Sequence, residues 1–248
     1  MEISLQPEII GSLVGIPISN SLILSVTVAS LLFGCGFFAV KSLSLVPRKL
    51  QNGVEAALSG ILDFMAQVIG GDKRQAYLFF PLVATLFLFI LLNNWLGVLP
   101  GTGSLGFWEE HEGGRMFVPL FRSANSDLNT TLALALITMI AVQWYGIQKL
   151  GLLRHLSKFF VFNKGPIFFF VGLLEAIGEF ARILSFSFRL FGNVFAGEVL
   201  LVIIMSLAPF FIPLPFFALE LFVGLIQALV FSMLALIFLK IATEAPSH

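Results

Sequence analysis

Charge is what this sequence has least of. Only 11% of its 248 residues are Asp, Glu, Lys or Arg, fourteen of each sign, against 58% hydrophobic. A soluble domain carries about 25% charged residues, so the composition places the chain in lipid. The balance of sign leaves no basic excess for nucleic acid, and what matters is where the few charges sit. One cysteine, Cys35, excludes an internal disulfide, and its apolar surroundings make it a packing residue rather than a redox or metal group. There is no HExxH, no Gly-x-Ser-x-Gly and no clustered histidine pair, which removes the common membrane-enzyme chemistries. No cofactor is implied. Met1 to Asn20 contains Glu2 and Glu8, lacks a basic leading region and shows no small-residue cleavage pattern before Lys41, so no removable signal peptide is expected.

Long apolar runs are what the chain has instead. A hydrocarbon core about 30 Å thick needs about 20 apolar residues to be crossed as a helix. Ser21 to Val40, Ala76 to Val98 and Leu128 to Gln148 each meet that demand without a charge. The second ends at the turn signal Pro100-Gly101, and Asp127 supplies a plausible cap for the third. Beyond Gly165-Pro166 the chain stays apolar to Pro209; as one helix that run is on the order of 60 Å long, which predicts either a break near Gly192 or a steep tilt. A last run, Phe216 to Ile241, follows the turn Pro213-Leu214-Pro215. The expected fold is an all-α integral membrane protein, a single polytopic domain with crossings at about 21–40, 76–98, 128–148, 166–208 and 216–241, the last two long and steeply tilted. Between the first two, Leu50, Val54, Ala57, Leu58, Ile61, Met65 and Val68 recur at helical spacing opposite Gln51, Glu55, Ser59, Asp63 and Gln67. That pattern predicts an amphipathic surface helix over about 50–69.

Orientation follows from the basic residues. With five crossings, one side receives ten of them: Lys41, Arg48, Lys49, Lys73, Arg74, Lys149, Arg154, Lys158, Lys164 and Lys240. The other receives two, Arg115 and Arg122, while Arg182 and Arg189 fall inside the membrane. The positive-inside rule then predicts an outside N-terminus and a cytoplasmic C-terminus, with His155 and His248 solvated on the cytoplasmic side. The outer segment from Gly101 to Ser126 contains Glu109-Glu110-His111-Glu112. This cluster lacks the two-histidine spacing of zinc enzymes and is expected to be a solvated acidic loop, not a metal site.

Ionisable residues at membrane depth cost about 2.5 to 3.5 kcal/mol each, so a chain that keeps several is using them. The last two runs contain Glu175, Glu179, Arg182, Arg189, Glu198 and Glu220. Steps of seven return a helix to within about 20°, so Glu175, Arg182 and Arg189 share a face, with Glu179, Ser185 and Asn193 within about 40° of it. Such a stripe lines an aqueous path or pairs with itself. Glu179 and Arg182, three apart, can neutralise one another. Arg189 has no acid three or four positions away on its own helix and keeps its charge at any physiological pH; it must find a carboxylate elsewhere or face water. Glu198, nine residues on, turns to the opposite side and serves a different neighbour. On an antiparallel final helix, Glu220 approaches the level of Glu198 and Gln227 that of Arg189. Gln227 alone reads equally as an interhelical hydrogen bond, a common and weak device in membrane bundles.

The stretch SFSFRLFGNVFAGE, Ser185 to Glu198, closely resembles the signature of the ATP synthase subunit a family, in which a serine precedes an Arg-Leu-Phe-Gly-Asn core followed by Ala-Gly-Glu. Pro47 to Glu55, Asn93 to Gly101 (NNWLGVLPG), Asp127 to Leu136 (DLNTTLALAL) and Gln227 also resemble the family in order. Where this chain has Glu220, some members carry histidine. The resemblance implies a non-catalytic, proton-channel subunit of a rotary motor, whose long tilted last helices embrace a ring of hairpin c subunits. The further partners it implies are the peripheral-stalk b subunits and the remainder of an F-type ATP synthase. It implies that Arg189 faces the rotor carboxylates, Glu198 and Glu220 form a relay in one of two half-channels, and Asn193 and Gln227 position Arg189 or water. Glu175, Glu179, Arg182 and Ser185 would be supporting residues. A bacterial cell membrane, rather than an organellar one, is expected because no transit peptide is present.

A secondary transporter is the main alternative class, but such folds show internal repeats with paired broken helices, and none is visible here. In a chain with native Cys35 replaced, single cysteines at Ser104 and Ser157 should be labelled from opposite sides of the membrane, Ser104 from outside. Labelling of both from one side overturns the five-crossing topology.

Overall fold

The computed structural model describes residues 8–13, 16–41, 49–99, 101–102, 106–111, 114–153, 166–208 and 211–244. Its frame is helical: α1 (Asn20–Lys41), α2 (Lys49–Val68), α3 (Lys73–Val98), α4 (Leu128–Leu150), α5 (Pro166–Leu207) and α6 (Pro213–Thr243). Five of these are long and apolar enough to cross a membrane, all but α2. Two antiparallel hairpins are added that periodicity did not suggest. In the first, β1 (Ile9–Leu13) pairs with β2 (Ile16–Ser19); in the second, β3 (Gly106–His111) pairs with β4 (Gly114–Pro119), closing on His111 opposite Gly114. The acidic segment is thus a hairpin in its backbone. The side chains of Glu109, Glu110 and His111 and the whole of Glu112, like His155 and His248, lie outside the described residues.

Helix ends explain most departures from the expected boundaries. Asp72 caps α3, its carboxylate accepting from the backbone N–H groups of Arg74 and Gln75 at 3.0 and 3.2 Å, so the helix starts at Lys73, three residues before the apolar run. Asp127 caps α4 in the same way, through Asn129 N–H at 2.9 Å. Pro213 and Pro215, expected in a turn, form the first turn of α6, where a missing N–H leaves no hydrogen bond unmade. Helix α5 runs unbroken through Gly192 for 42 residues. The alternative of a break there is therefore set aside. At about 63 Å, α5 is about twice as long as a hydrocarbon core is thick.

Helices α3 and α6 form the central pair, packing most extensively on one another, with α4 bridging to α5. One apolar cluster gathers Phe79, Val83, Val142, Leu236 and Leu239 with the C-terminal part of α2, through Met65, Ala66 and Ile69. A second lies further along α3, α4 and α6 and takes in α5, around Ile90, Ala135, Phe186, Leu190 and Phe231. Helix α1 is attached mainly at its start, where Asn20, Ser21, Leu24 and Val28 are buried, while Phe33 is 77% exposed. An apolar exterior of this kind is what lipid accepts.

The bundle has two recognisable ends. At one, Asn20 donates to the carbonyl of Pro119 (3.4 Å) and Ser21 Oγ to Asp127 Oδ2 (3.2 Å), joining the start of α1 to the segment between α3 and α4. At the other, Lys73 pairs with Asp63 at 3.0 Å, and Lys240 of α6 approaches the α2–α3 turn at Gly70.

Gly97 shows how closely the first end is packed: a Cβ there would fall 2.5 Å from Ser123 Cβ and 2.7 Å from its Cα. Because backbone must move to admit it, Gly97→Ala should destabilise the purified protein in detergent by about 1 to 3 kcal/mol. Gly60→Ala, where nothing lies within 4 Å, should be neutral or stabilising by up to about 1 kcal/mol. Equal melting of the two variants would contradict this packing.

Candidate functional site

The polar residues of α5 and α6 meet along one seam. Arg182 lies over the Phe238 ring at 4.9 Å, Phe186 packs edge-on against Phe231 at 4.7 Å, and Asn193 Nδ2 donates to Gln227 Oε1 at 2.7 Å. Next along, the backbone of Gly197 faces the Glu220 carboxyl. Residue numbers rise on α5 as they fall on α6, so the helices are antiparallel, with Glu198 and Glu220 toward the Asn20 end and Arg182 toward the Lys240 end.

Arg182 pairs with Glu179, one helical turn back. Glu175 is half-buried and forms no ion pair among the described residues. Arg189 is exposed, donates from Nη2 to Ser185 Oγ at 3.2 Å, and has no carboxylate partner among the described residues. The two outcomes open to it are a carboxylate or water, and among the described residues no carboxylate pairs with it. Gln227 is 4% exposed, and its Nε2 donor has no partner among the described residues. A buried amide with one half satisfied has a hydrogen bond to give to a water or a neighbouring subunit.

Glu198 does face another way from Arg189, toward the segment that precedes α4. Arg122 Nε lies 3.1 Å from Glu198 Oε1 and 3.3 Å from Oε2. Position in the sequence assigned Arg122 to the outer loop; the backbone folds it inward, with its side chain 10% exposed. Glu220 is 7% exposed. Its carboxyl occupies the volume that a side chain at Gly197 would need. The glycine of the Ala-Gly-Glu triplet thus has a steric reason: it lets a carboxyl of α6 lie against the α5 backbone.

Sequence reasoning also passed over a set of buried amides and hydroxyls beside the seam. Asn94 Nδ2 donates to the Gly224 carbonyl (3.0 Å) and its Oδ1 accepts from Asn125 Nδ2 (2.7 Å), while Trp95 Nε1 donates to the Leu221 carbonyl (3.0 Å). These bonds hold α3 to the stretch of α6 between Glu220 and Gln227. Thr131 and Ser187 hydroxyls join α4 to α5 at 3.1 Å. The cue available in the sequence was the pair Asn93-Asn94 inside an otherwise apolar helix, since amides in such a setting need partners.

Five apolar helices and a polar seam with an acid-free arginine define a polytopic membrane protein that keeps charge at bilayer depth. The chain belongs to the ATP synthase A chain family, whose match covers residues 21–240. It is 38% identical over 217 residues to the ATP synthase subunit a of Syntrophobacter fumaroxidans, covering 86% of this chain and 80% of that one. It is 34% identical over 223 residues to the ATP synthase subunit a of Campylobacter concisus, covering 89% and 88%. With the subunit a of Geotalea daltonii it shares 34% over 219 residues, covering 88% and 84%.

The Gly197 contact makes a test independent of function. Gly197→Ala should push aside the Glu220 carboxyl, the end of a flexible side chain, and lower the stability of the purified protein by about 1 kcal/mol, less than Gly97→Ala. Adding Glu220→Ala should restore part of the loss by vacating the space. Additive losses in the double variant, measured by thermal unfolding in detergent, would show that the two positions do not compete for one volume.

Proposed function

We propose that this chain is the ion-translocating stator subunit of the membrane sector of a rotary F-type ATP synthase. It sits in a bacterial cell membrane with its N-terminus outside and its C-terminus cytoplasmic. The transported ion is a proton. Its partners are a rotor ring of hairpin c subunits, to which the exposed face of α5 is turned, and the peripheral-stalk b subunits. The names of its relatives support membership of that complex.

One observation carries the mechanism. Arg122 and Arg182 each have an acid partner, and Arg189 has none among the described residues. An unneutralised cation inside an apolar chain attracts an anion from outside it, and a rotor carboxylate passing α5 is such an anion. The fixed positive charge favours the ionised carboxylate, so a protonated rotor site releases its proton as it arrives. Glu198 and Glu220, near the Asn20 end, form the relay of the half-channel opening to the outside. Asn193 and Gln227 lie between that relay and Arg189 and hold water or the guanidinium. The stripe of Glu175, Glu179, Arg182 and Ser185 supports the opposite half. Ion flow is driven by the membrane potential, worth about 2.3 kcal/mol per charge per 100 mV, and is coupled to ATP synthesis through rotation.

Arg189→Ala should abolish both ion-driven ATP synthesis and ATP-driven pumping in inverted vesicles matched for assembled complex. Removing a charge that no described residue neutralises should leave insertion intact. Lys should substitute poorly, because it loses the planar fork and sheds its proton when desolvated. Near-normal coupled pumping by Arg189→Ala would overturn the mechanism.

A further inference from the structure

Arg122 stands on a base far more rigid than a solvated loop needs. Ser123, next to it, is 5% exposed and its Oγ donates to the Asn93 carbonyl at 3.3 Å. Asn125, fully buried, donates to the Ile90 carbonyl at 3.3 Å and to Asn94 Oδ1 at 2.7 Å. Asp127 receives Ser21 Oγ from α1. Gly97 lets this segment lie directly on α3. A guanidinium held on such a base cannot follow its partner by loop motion, so its partner is held in turn. Glu198, from α5, is that partner, and the carboxyl of Glu220, from α6, lies against Gly197, the residue just before it. Three separate elements thus bring together one cation and two carboxyls, a set that one proton makes neutral. Neutrality matters where the surroundings are apolar and an uncompensated charge is costly.

We propose that Arg122 is a positioning residue of the seam: it holds the Glu198 carboxyl in the orientation from which a single proton passes between Glu198 and Glu220. The transfer breaks one carboxyl O–H bond and forms another, with no other bond changed, and water on the Asn20 side supplies or receives the proton. Arg122 touches neither the rotor nor the transferred proton and acts through Glu198. The inference rests on the relay assigned to Glu198 and Glu220 under the proposed function.

The test uses the assembled synthase in inverted vesicles, with proton pumping expressed per assembled complex. Arg122→Gln should slow pumping by roughly tenfold or more, as misplacement of a reacting group does, and Arg122→Lys should recover a substantial part by restoring the charge. Glu198→Gln should also slow pumping. The double variant Arg122→Gln/Glu198→Gln should be no slower than Glu198→Gln alone, because Arg122 then has no carboxylate to orient. This last comparison also serves if Arg122→Gln fails to assemble, since the double variant leaves no unpaired carboxylate at position 198. Wild-type pumping by Arg122→Gln, multiplied losses in the double variant, or failure of the double variant to assemble where Glu198→Gln does, would each overturn the proposal. Impaired pumping by Glu198→Gln beside normal pumping by Arg122→Gln removes this inference and leaves the relay standing. Normal pumping by both removes the relay as well.

Discussion

A permanent charge in an apolar environment must be answered, and most of the polar geometry described here follows from how each answer is made. Arg182 is answered within its own helix by Glu179 and on its other side by the face of Phe238. Arg122 is answered across elements by Glu198. Arg189 meets a hydroxyl and, among the described residues, no acid. Three identical side chains therefore have three different electrostatic settings within one helical bundle. The one without an acid is also the one on an exposed face. On the function proposed, the missing counter-charge arrives from the rotor and leaves again, which a fixed internal partner would prevent.

Holding the other charges in register is the work of small residues and amides. Gly97 lets the Ser123 backbone lie on α3, and Gly197 leaves the space that the Glu220 carboxyl fills against α5. Asn94 and Trp95 bind backbone carbonyls of α6 on the turns between Glu220 and Gln227. Individually such bonds in membrane bundles average about 0.6 kcal/mol, too little to drive association. Their use is geometric: they fix the rotation and height of α6 against α3, and apolar packing supplies the bulk of the adhesion.

The five crossings were legible because a membrane imposes a length and a polarity that a sequence cannot disguise, and the 3.6-residue period placed Glu175, Arg182 and Arg189 on one stripe. The antiparallel reading likewise anticipated that Glu220 would come near Glu198. Periodicity says nothing about residues outside periodic segments, and there the reading ran out. Arg122 sits in a connection, where its sequence position said outer surface and its actual environment depends on Ser123 and Asn125 being buried against α3. Gly197 looked like part of a motif; its steric reason appears only with the α6 carboxyl in place. The prolines of α6 were taken for a turn because the same residue type that ends a helix also starts one.

The continuity of α5 makes it a ruler. Nine residues separate Arg189 from Glu198, which at 1.5 Å per residue is about 14 Å along the axis, several times the reach of a hydrogen bond. With no kink between them, that separation does not shrink when the bundle breathes, and the side chains point to opposite sides of the rod. On the function proposed, the stretch between the two acts as an insulator, across which an ion does not pass in one step. Anything that crosses must do so by way of a second body that moves past α5 or through water admitted beside Asn193 and Gln227. A helix broken at Gly192 would have lost that fixed gap, and with it the separation between the two ends of the path.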